Sequence, residues 1–348
     1  MSARPLVVRC GALGDVVMLT PIIRLLTARY GSPVEVVGSG DWTPPLLHDL
    51  PEVARVQLIR SRSTPYLLCP SQWALVRWLK ARGRGPVYLC DDNPDMVGLI
   101  RRAGIPEADI VHRPAGDETL EDGVTPRLWP DRWIRMGLLD PAAGYPARQD
   151  IDGEAYRLPT LAVADAARRD FDQWRQARRL DGPLVLFQPG NKRTHKRGGV
   201  ATRSHPKYWP PACWAEVAQA VWQALPGAQV LLCGSPNEHG VLEDIRAAVG
   251  NDPRLHNLAR ELPVPRLLAL LQQAHSMVSV DTGPAHAAAA LACPLVVLFG
   301  AASPAKWRPL GPGDIAVLGG TKGEHSRVAD IGPDEVVAAW RALRPRCG

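Results

Sequence analysis

Short apolar runs separated by stretches of helical periodicity set the plan of this chain. Leu6-Val-Val8 reads as a strand, and beyond it Val16, Leu19, Ile22, Ile23 and Leu26 fall on one face of a helix over 16–30. Further strands are expected at 34–37, 56–59 and 87–90, with a helix over 72–82 between the last two. That alternation predicts a parallel sheet covered on both faces. From about 113 to 160 the sequence is richer in Pro, Gly and charge, and only 129–139 reads as helical. After a helix over 165–179 the pattern restarts. Strands at 184–187 and 229–233 alternate with helices over 214–224, 238–249 and 265–273. Then come a buried strand ending at Val280, a short Ala-rich helix, a strand in Pro294-Leu-Val-Val-Leu-Phe-Gly300 and a last helix over 335–343. The expected architecture is α/β, with two Rossmann-like domains whose parallel sheets face a central cleft. Residues 1–160 form the first domain and 161–330 the second, and the helix within 331–348 is expected to pack back on the first.

Composition narrows the class. Among 348 residues, 46% hydrophobic and 22% charged content are globular values. The seven cysteines are scattered and none forms a C-x-x-C pair, so neither a zinc site nor a disulfide framework is signalled. Cys10, Cys90, Cys233 and Cys293 lie in or beside apolar runs and read as small core residues of a reduced, cytoplasmic protein. Pro5-Leu-Val-Val8 is too short for the core of a signal peptide. No apolar run reaches the roughly 18 residues of a membrane span, and the longest, 285–299, is broken by Pro294. Attachment to a membrane surface stays open.

The net charge of +6 is unevenly placed. Residues 1–170 carry 21 basic and 21 acidic residues, so the whole excess lies beyond them. Six of those bases fall between Lys192 and Lys207 with no acid among them, which points to an anionic ligand of the second half. No nucleic-acid module pattern accompanies them, so nucleic acid is not expected as a partner.

The candidate chemistry lies where strands end. In Val278-Ser-Val-Asp-Thr-Gly-Pro-Ala-His286, Asp281, Thr282 and Gly283 join a strand to a helix, and Pro284 suits a first helical position. A helix start at the carboxyl edge of a sheet turns unpaired N–H groups and the positive dipole end outward, as a phosphate site requires. An ordinary N-cap with a surface His286 has the same sequence. Arg9-Cys-Gly-Ala-Leu-Gly-Asp15 joins the first strand to the first helix, with glycines for a tight turn. It is neither a P-loop nor G-x-G-x-x-G, so dinucleotide binding is poorly supported. Asp15 stands where open α/β sheets bind ligands and can take a proton from an attacking hydroxyl. An acid there equally complements the helix dipole. Gly190 opens a basic loop in which Lys192, Arg193, Lys196, Arg197 and Lys207 can reach phosphates. In Gly234-Ser-Pro-Asn-Glu238, Glu238 can accept hydrogen bonds from a ribose or sugar.

The segments Arg9-Cys-Gly-Ala-Leu-Gly-Asp-Val-Val-Met-Leu-Thr-Pro-Ile-Ile-Arg24 and Val278 to His286 together resemble the paired signatures of glycosyltransferase family 9, the lipopolysaccharide heptosyltransferases. The resemblance implies the GT-B fold and inverting, metal-independent transfer without a cofactor, with ADP-heptose as the usual donor substrate. It implies Asp15 as general base, Lys207 in Lys-Tyr-Trp-Pro as a contact of donor phosphate, and Asp281, Thr282, Gly283 and His286 as the donor-binding turn. Glu238 matches an acid near the nucleotide less securely. Two departures bear on the donor: residues 190–206 are longer and more basic than the family's usual turn, and Pro284 stands where Leu or Met is usual. Transfer from another nucleotide sugar, or to a small-molecule acceptor, therefore stays open. So does a sugar-nucleotide epimerase of the same fold.

For the first domain the resemblance implies acceptor recognition. Gly14, Arg60 and Arg62 are candidates for meeting an anionic glycan or glycolipid, as are Arg101 and Arg102, although scattered surface arginines explain these positions equally well. The pair Asp91-Asp92 is the one place suggesting a metal, and it reads rather as a strand end or an acceptor contact. An acceptor of this kind would bring the protein to the cytoplasmic face of the inner membrane as a peripheral partner.

Overall fold

The computed structural model describes residues 4–112, 128–190, 204–320 and 326–345. The chain divides into two compact units, Met1–Ala162 and Val163–Gly348. In the first, strands β1 (Leu6–Val8), β2 (Val34–Ser39), β3 (Val53–Ile59), β4 (Val87–Leu89) and β5 (Ile110–His112) form a sheet in the order 3-2-1-4-5. Every pairing is parallel, with Leu6 opposite both Glu35 and Val87. The intervening helices are α1 (Leu13–Tyr30), α2 (Thr43–Leu47), α3 (Pro70–Ala81), α4 (Pro94–Arg102) and α5 (Trp129–Gly137).

Helix α1 is buried along most of its length, from Val16 to Leu26. Pro21 lies inside it and cannot donate to the carbonyl of Val17. The Thr20 hydroxyl makes that bond instead, at 2.9 Å, and in turn accepts from the Thr160 N–H at 3.0 Å. At its end the helix is stopped by Gly31 at φ 62°, a left-handed conformation in which glycine has no Cβ penalty. The buried Arg29 then donates to the carbonyl of Gly137 at 2.6 Å and to Asp140 at 2.7 Å, tying α1 to the end of α5 and the chain beyond it.

In the second unit, β6 (Leu184–Gln188), β7 (Gln229–Leu232), β8 (Leu255–Asn257), β9 (Ser276–Val280), β10 (Leu295–Phe299) and β11 (Ile315–Gly319) form a parallel sheet in the order 11-10-9-6-7-8. The helices are α6 (Asp165–Ala177), α7 (Pro211–Ala224), α8 (His239–Ala248), α9 (Val264–Gln273), α10 (Gly283–Ala290), α11 (Pro304–Trp307) and α12 (Pro333–Ala342). Phe187, Trp209 and Trp214 pack within its core, the two tryptophans edge to face, with ring centroids 4.9 and 5.3 Å apart. The last helix belongs to the second unit. Val336 and Trp340 of α12 are buried in the second unit's core, and the Trp340 indole donates to Ser276 at 2.8 Å.

The strands that sequence periodicity does not show are short or half-buried. β5 and β8 have three residues each, too few for any period, and β11 is a half-buried edge strand. The cysteines expected in the core are buried, and burial pushes the thiols of Cys10, Cys90 and Cys233 up to about 12. Among the described residues no helix is long and apolar enough to cross a membrane.

Candidate functional site

Both sheets have a switch point, where strand order reverses and the loops on either side diverge to leave a crevice at the carboxyl ends. In the first unit it lies between β1 and β4, in the second between β6 and β9.

Asp15 stands at the first of these, in the opening turn of α1. One carboxylate oxygen accepts from the Ala12 N–H at 2.8 Å, closing the helix start, and the other accepts from Arg9 at 2.7 Å. A Cβ on Gly11 would overlap the Asp15 side chain, so a glycine there is what lets the loop fold over the acid. Arg9 lies in the same sequence motif, but spacing alone does not reveal its contact with Asp15. Its guanidinium also donates to the Cys90 carbonyl at 3.2 Å and sits 5.8 Å from the Trp133 ring centroid. Burial works against its charge, but the Asp15 carboxylate together with Asp91 outweighs this, so Arg9 holds its proton more firmly than usual.

Across the switch point, Asp91 is a structural bracket. Its carboxylate accepts from the N–H groups of Cys10 at 2.9 Å and Asn93 at 3.1 Å, and from Arg62 at 3.0 Å. This ties the loops after β1, β3 and β4 together. Arg62, a candidate for acceptor contact, is thereby engaged by a buried acid, whereas Arg60 is exposed and its backbone N–H meets Ser71. Gly14 is buried within the first turn of α1.

In the second unit the structure brings Lys207 and the Asp281 turn together. The Lys207 ammonium donates to the Asp281 carboxylate at 2.6 Å and to the Asp281 carbonyl at 2.7 Å. An ammonium has three N–H donors, so among the described residues one remains for a ligand. The segment carrying it is fixed on both sides: the Pro206 carbonyl accepts from Val328, and the buried Trp209 indole donates to Ile331 at 2.9 Å. Gly300, after β10, fits against Pro206 only because it lacks a Cβ.

Thr282 is the N-cap of α10, and its side chain makes no capping bond to the helix. Its hydroxyl lies 3.2 Å from that of Ser279. The helix begins at Gly283, with Pro284 as its second residue and not its first. His286 is buried, not a surface histidine. At the end of β6, Gln188 donates to the Gly190 carbonyl at 2.9 Å, while Lys192, Arg193, Lys196 and Arg197 lie outside the described residues. Beyond β7, Glu238 is only 4% exposed. One of its oxygens accepts from the Ser235 N–H at 2.7 Å, and the other has no partner among the described residues. A buried acceptor left open in this way suits a hydroxyl donor.

Among known proteins, residues 156–330 match the model of glycosyltransferase family 9 (heptosyltransferase). The chain is 25% identical to lipopolysaccharide heptosyltransferase 2 of Escherichia coli strain K12, over 95% of each chain. The structure of the E. coli ADP-heptose lipopolysaccharide heptosyltransferase II superposes with a TM-score of 0.76 at 25% identity, covering 98% of both chains. E. coli heptosyltransferase WaaC with ADP superposes with a TM-score of 0.66 over 96% of this chain and 97% of that one. At 18% identity this second structural likeness speaks to the fold, two Rossmann-like domains of the GT-B class.

Proposed function

Because the chain belongs to glycosyltransferase family 9, the heptosyltransferases, we propose that it moves a heptose from ADP-heptose to a hydroxyl of a lipopolysaccharide core or related glycan. The observation that carries this reading is that each unit places reactive groups at its own switch point: the Arg9–Asp15 pair in the first and the Lys207–Asp281 pair in the second.

In this reading Asp15 takes the proton of the acceptor hydroxyl as its oxygen attacks the anomeric carbon. Attack opposite the departing diphosphate inverts that centre. The diphosphate gathers negative charge as it leaves, and the remaining N–H of Lys207 and the start of α10 stabilise it. Asp281 holds the ammonium in place, so its own charge is already matched before a ligand arrives. The oriented ammonium N–H and the helix start act on the leaving diphosphate where a divalent ion acts elsewhere, so the reading needs no metal. The open oxygen of Glu238 receives a ribose hydroxyl. A lipid-linked acceptor of this kind would bring the reaction to the cytoplasmic face of the inner membrane.

Calorimetric titration tests the donor side by itself. ADP and ADP-heptose should both bind, in the presence of a chelator, and a uridine diphosphate sugar should not. A uridine nucleotide that binds where ADP-heptose does not would replace the proposed donor.

A further inference from the structure

Beyond β3 the chain runs Arg60-Ser-Arg-Ser-Thr-Pro-Tyr-Leu-Leu-Cys69 into α3. Leu67 is 79% exposed, Leu68 73%, and Trp73 in the first turn of α3 45%. Single exposed leucines are ordinary on a protein surface, but a contiguous apolar group marks an interaction site. These three are contiguous, because the Trp73 indole donates to the carbonyl of Tyr66, in the same short helix as Leu67 and Leu68, at 2.6 Å.

The loop is braced, so the leucines are held outward and are not a frayed end. The buried Gln72 amide donates to the carbonyls of Ser61, Arg62 and Thr64 at 3.1, 3.1 and 2.8 Å. Arg62 adds its ion pair with Asp91, and Thr64 bonds the Ser61 hydroxyl at 2.7 Å.

Charge identifies what covers the patch. From Val53 to Cys90 there is no Asp or Glu, while seven Lys and Arg occur. Ion pairs engage Arg62, Arg82 and Arg84. Arg60, Arg77 and Lys80 are exposed and make no ion pair among the described residues. Arg77 and Lys80 follow Trp73 at the four- and seven-residue spacing that shares one helix face. Residues 1–170 balance to zero, so this excess is local. A second copy of the chain would bring the same cations against their own kind. Exposed leucines and a tryptophan with cations on the same helix face and at the start of the loop fit the interfacial zone of an anionic membrane.

We propose that the Tyr66–Trp73 surface, with Arg60, Arg77 and Lys80, docks the protein on an anionic phospholipid bilayer. Leu67, Leu68 and Trp73 enter the headgroup boundary, and the cations rest on the phosphates. The patch follows the carboxyl end of β3, two strands and about 10 Å across the sheet from β1. Docking therefore holds the sheet edge that bears Asp15 toward the membrane. The docking itself does not depend on the transfer reaction.

Flotation of the full chain with vesicles is the test. Binding should be strong to phosphatidylglycerol–phosphatidylcholine vesicles, weak to pure phosphatidylcholine, and reduced by salt. Leu67→Ser with Leu68→Ser should lower the partition coefficient about 100-fold, at about tenfold per leucine. Arg77→Glu with Lys80→Glu should lower it at least about tenfold and remove the preference for anionic vesicles. Both variants should use a soluble, delipidated acceptor as the unaltered protein does. No transfer even by the unaltered protein would count against heptosyl transfer and leave the vesicle result standing. Docking is overturned if the unaltered protein ignores anionic vesicles or if the double serine variant binds them equally well. It is also overturned if sedimentation shows a dimer that this variant splits, without vesicle binding.

Discussion

Replacing Asp15 with Asn should lower kcat by about 10²–10⁴-fold, the contribution of a positioned general base, while affinity for ADP-heptose is retained. Asn keeps an oxygen that can accept from the Ala12 N–H but cannot take a proton, and it loses the ion pair with Arg9. Both partners of that pair are largely shielded, so its loss should cost about 1–2 kcal/mol of stability. Stopped-flow kinetics and calorimetric melting separate the two effects. A slow but fully folded variant that still binds donor supports the assignment. A variant with ordinary turnover removes Asp15 from the chemistry.

Lys207→Met should be nearly as damaging, for a different reason. Loss of one preorganised charge on a departing group typically costs about 10²–10³ in rate. It also strips Asp281, whose side chain is only 10% exposed, of its counter-ion. The single variant should therefore be both less active and less stable. Adding Asp281→Asn should recover much of the melting temperature and none of the activity, because the double variant has no buried charge but still lacks the ammonium. Measured together as a double-mutant cycle, the two readouts should part company. If the double variant regained transfer, Lys207 would be only a brace for Asp281.

These expectations rest on contacts that the sequence shows to very different degrees. The strand–turn–helix at Val280 to Ala285 was legible because buried strand, turn residues and Ala-rich helix follow one another without interruption. Apolar periodicity does not show α4, and only Asn93 and Pro94 mark its start, Asn93 accepting from the N–H groups of Asp95 and Met96. Asp15 was recognisable from its place at a helix start, but its partner Arg9 was not, since the contact depends on a glycine loop folding back. Lys207 and Asp281 are 74 residues apart, and no local pattern records that they meet.

The docking patch was hidden for another reason. Over residues 1–170 the charges cancel, which conceals the acid-free stretch from Val53 to Cys90. No periodicity marks Leu67 and Leu68 as exposed, because the loop that turns them outward is braced by Gln72. Arg62, read from its position as an acceptor contact, is engaged by Asp91.

The most direct measurement is of transfer itself, with ADP-heptose, a core acceptor ending in a free hydroxyl and a chelator present. ADP release and product mass would be followed together, and the new anomeric centre read by nuclear magnetic resonance. One ADP should appear for each heptosylated acceptor, with inverted configuration and no loss of rate to the chelator. Consumption of ADP-heptose without acceptor, or reaction only with a different nucleotide sugar, would contradict it.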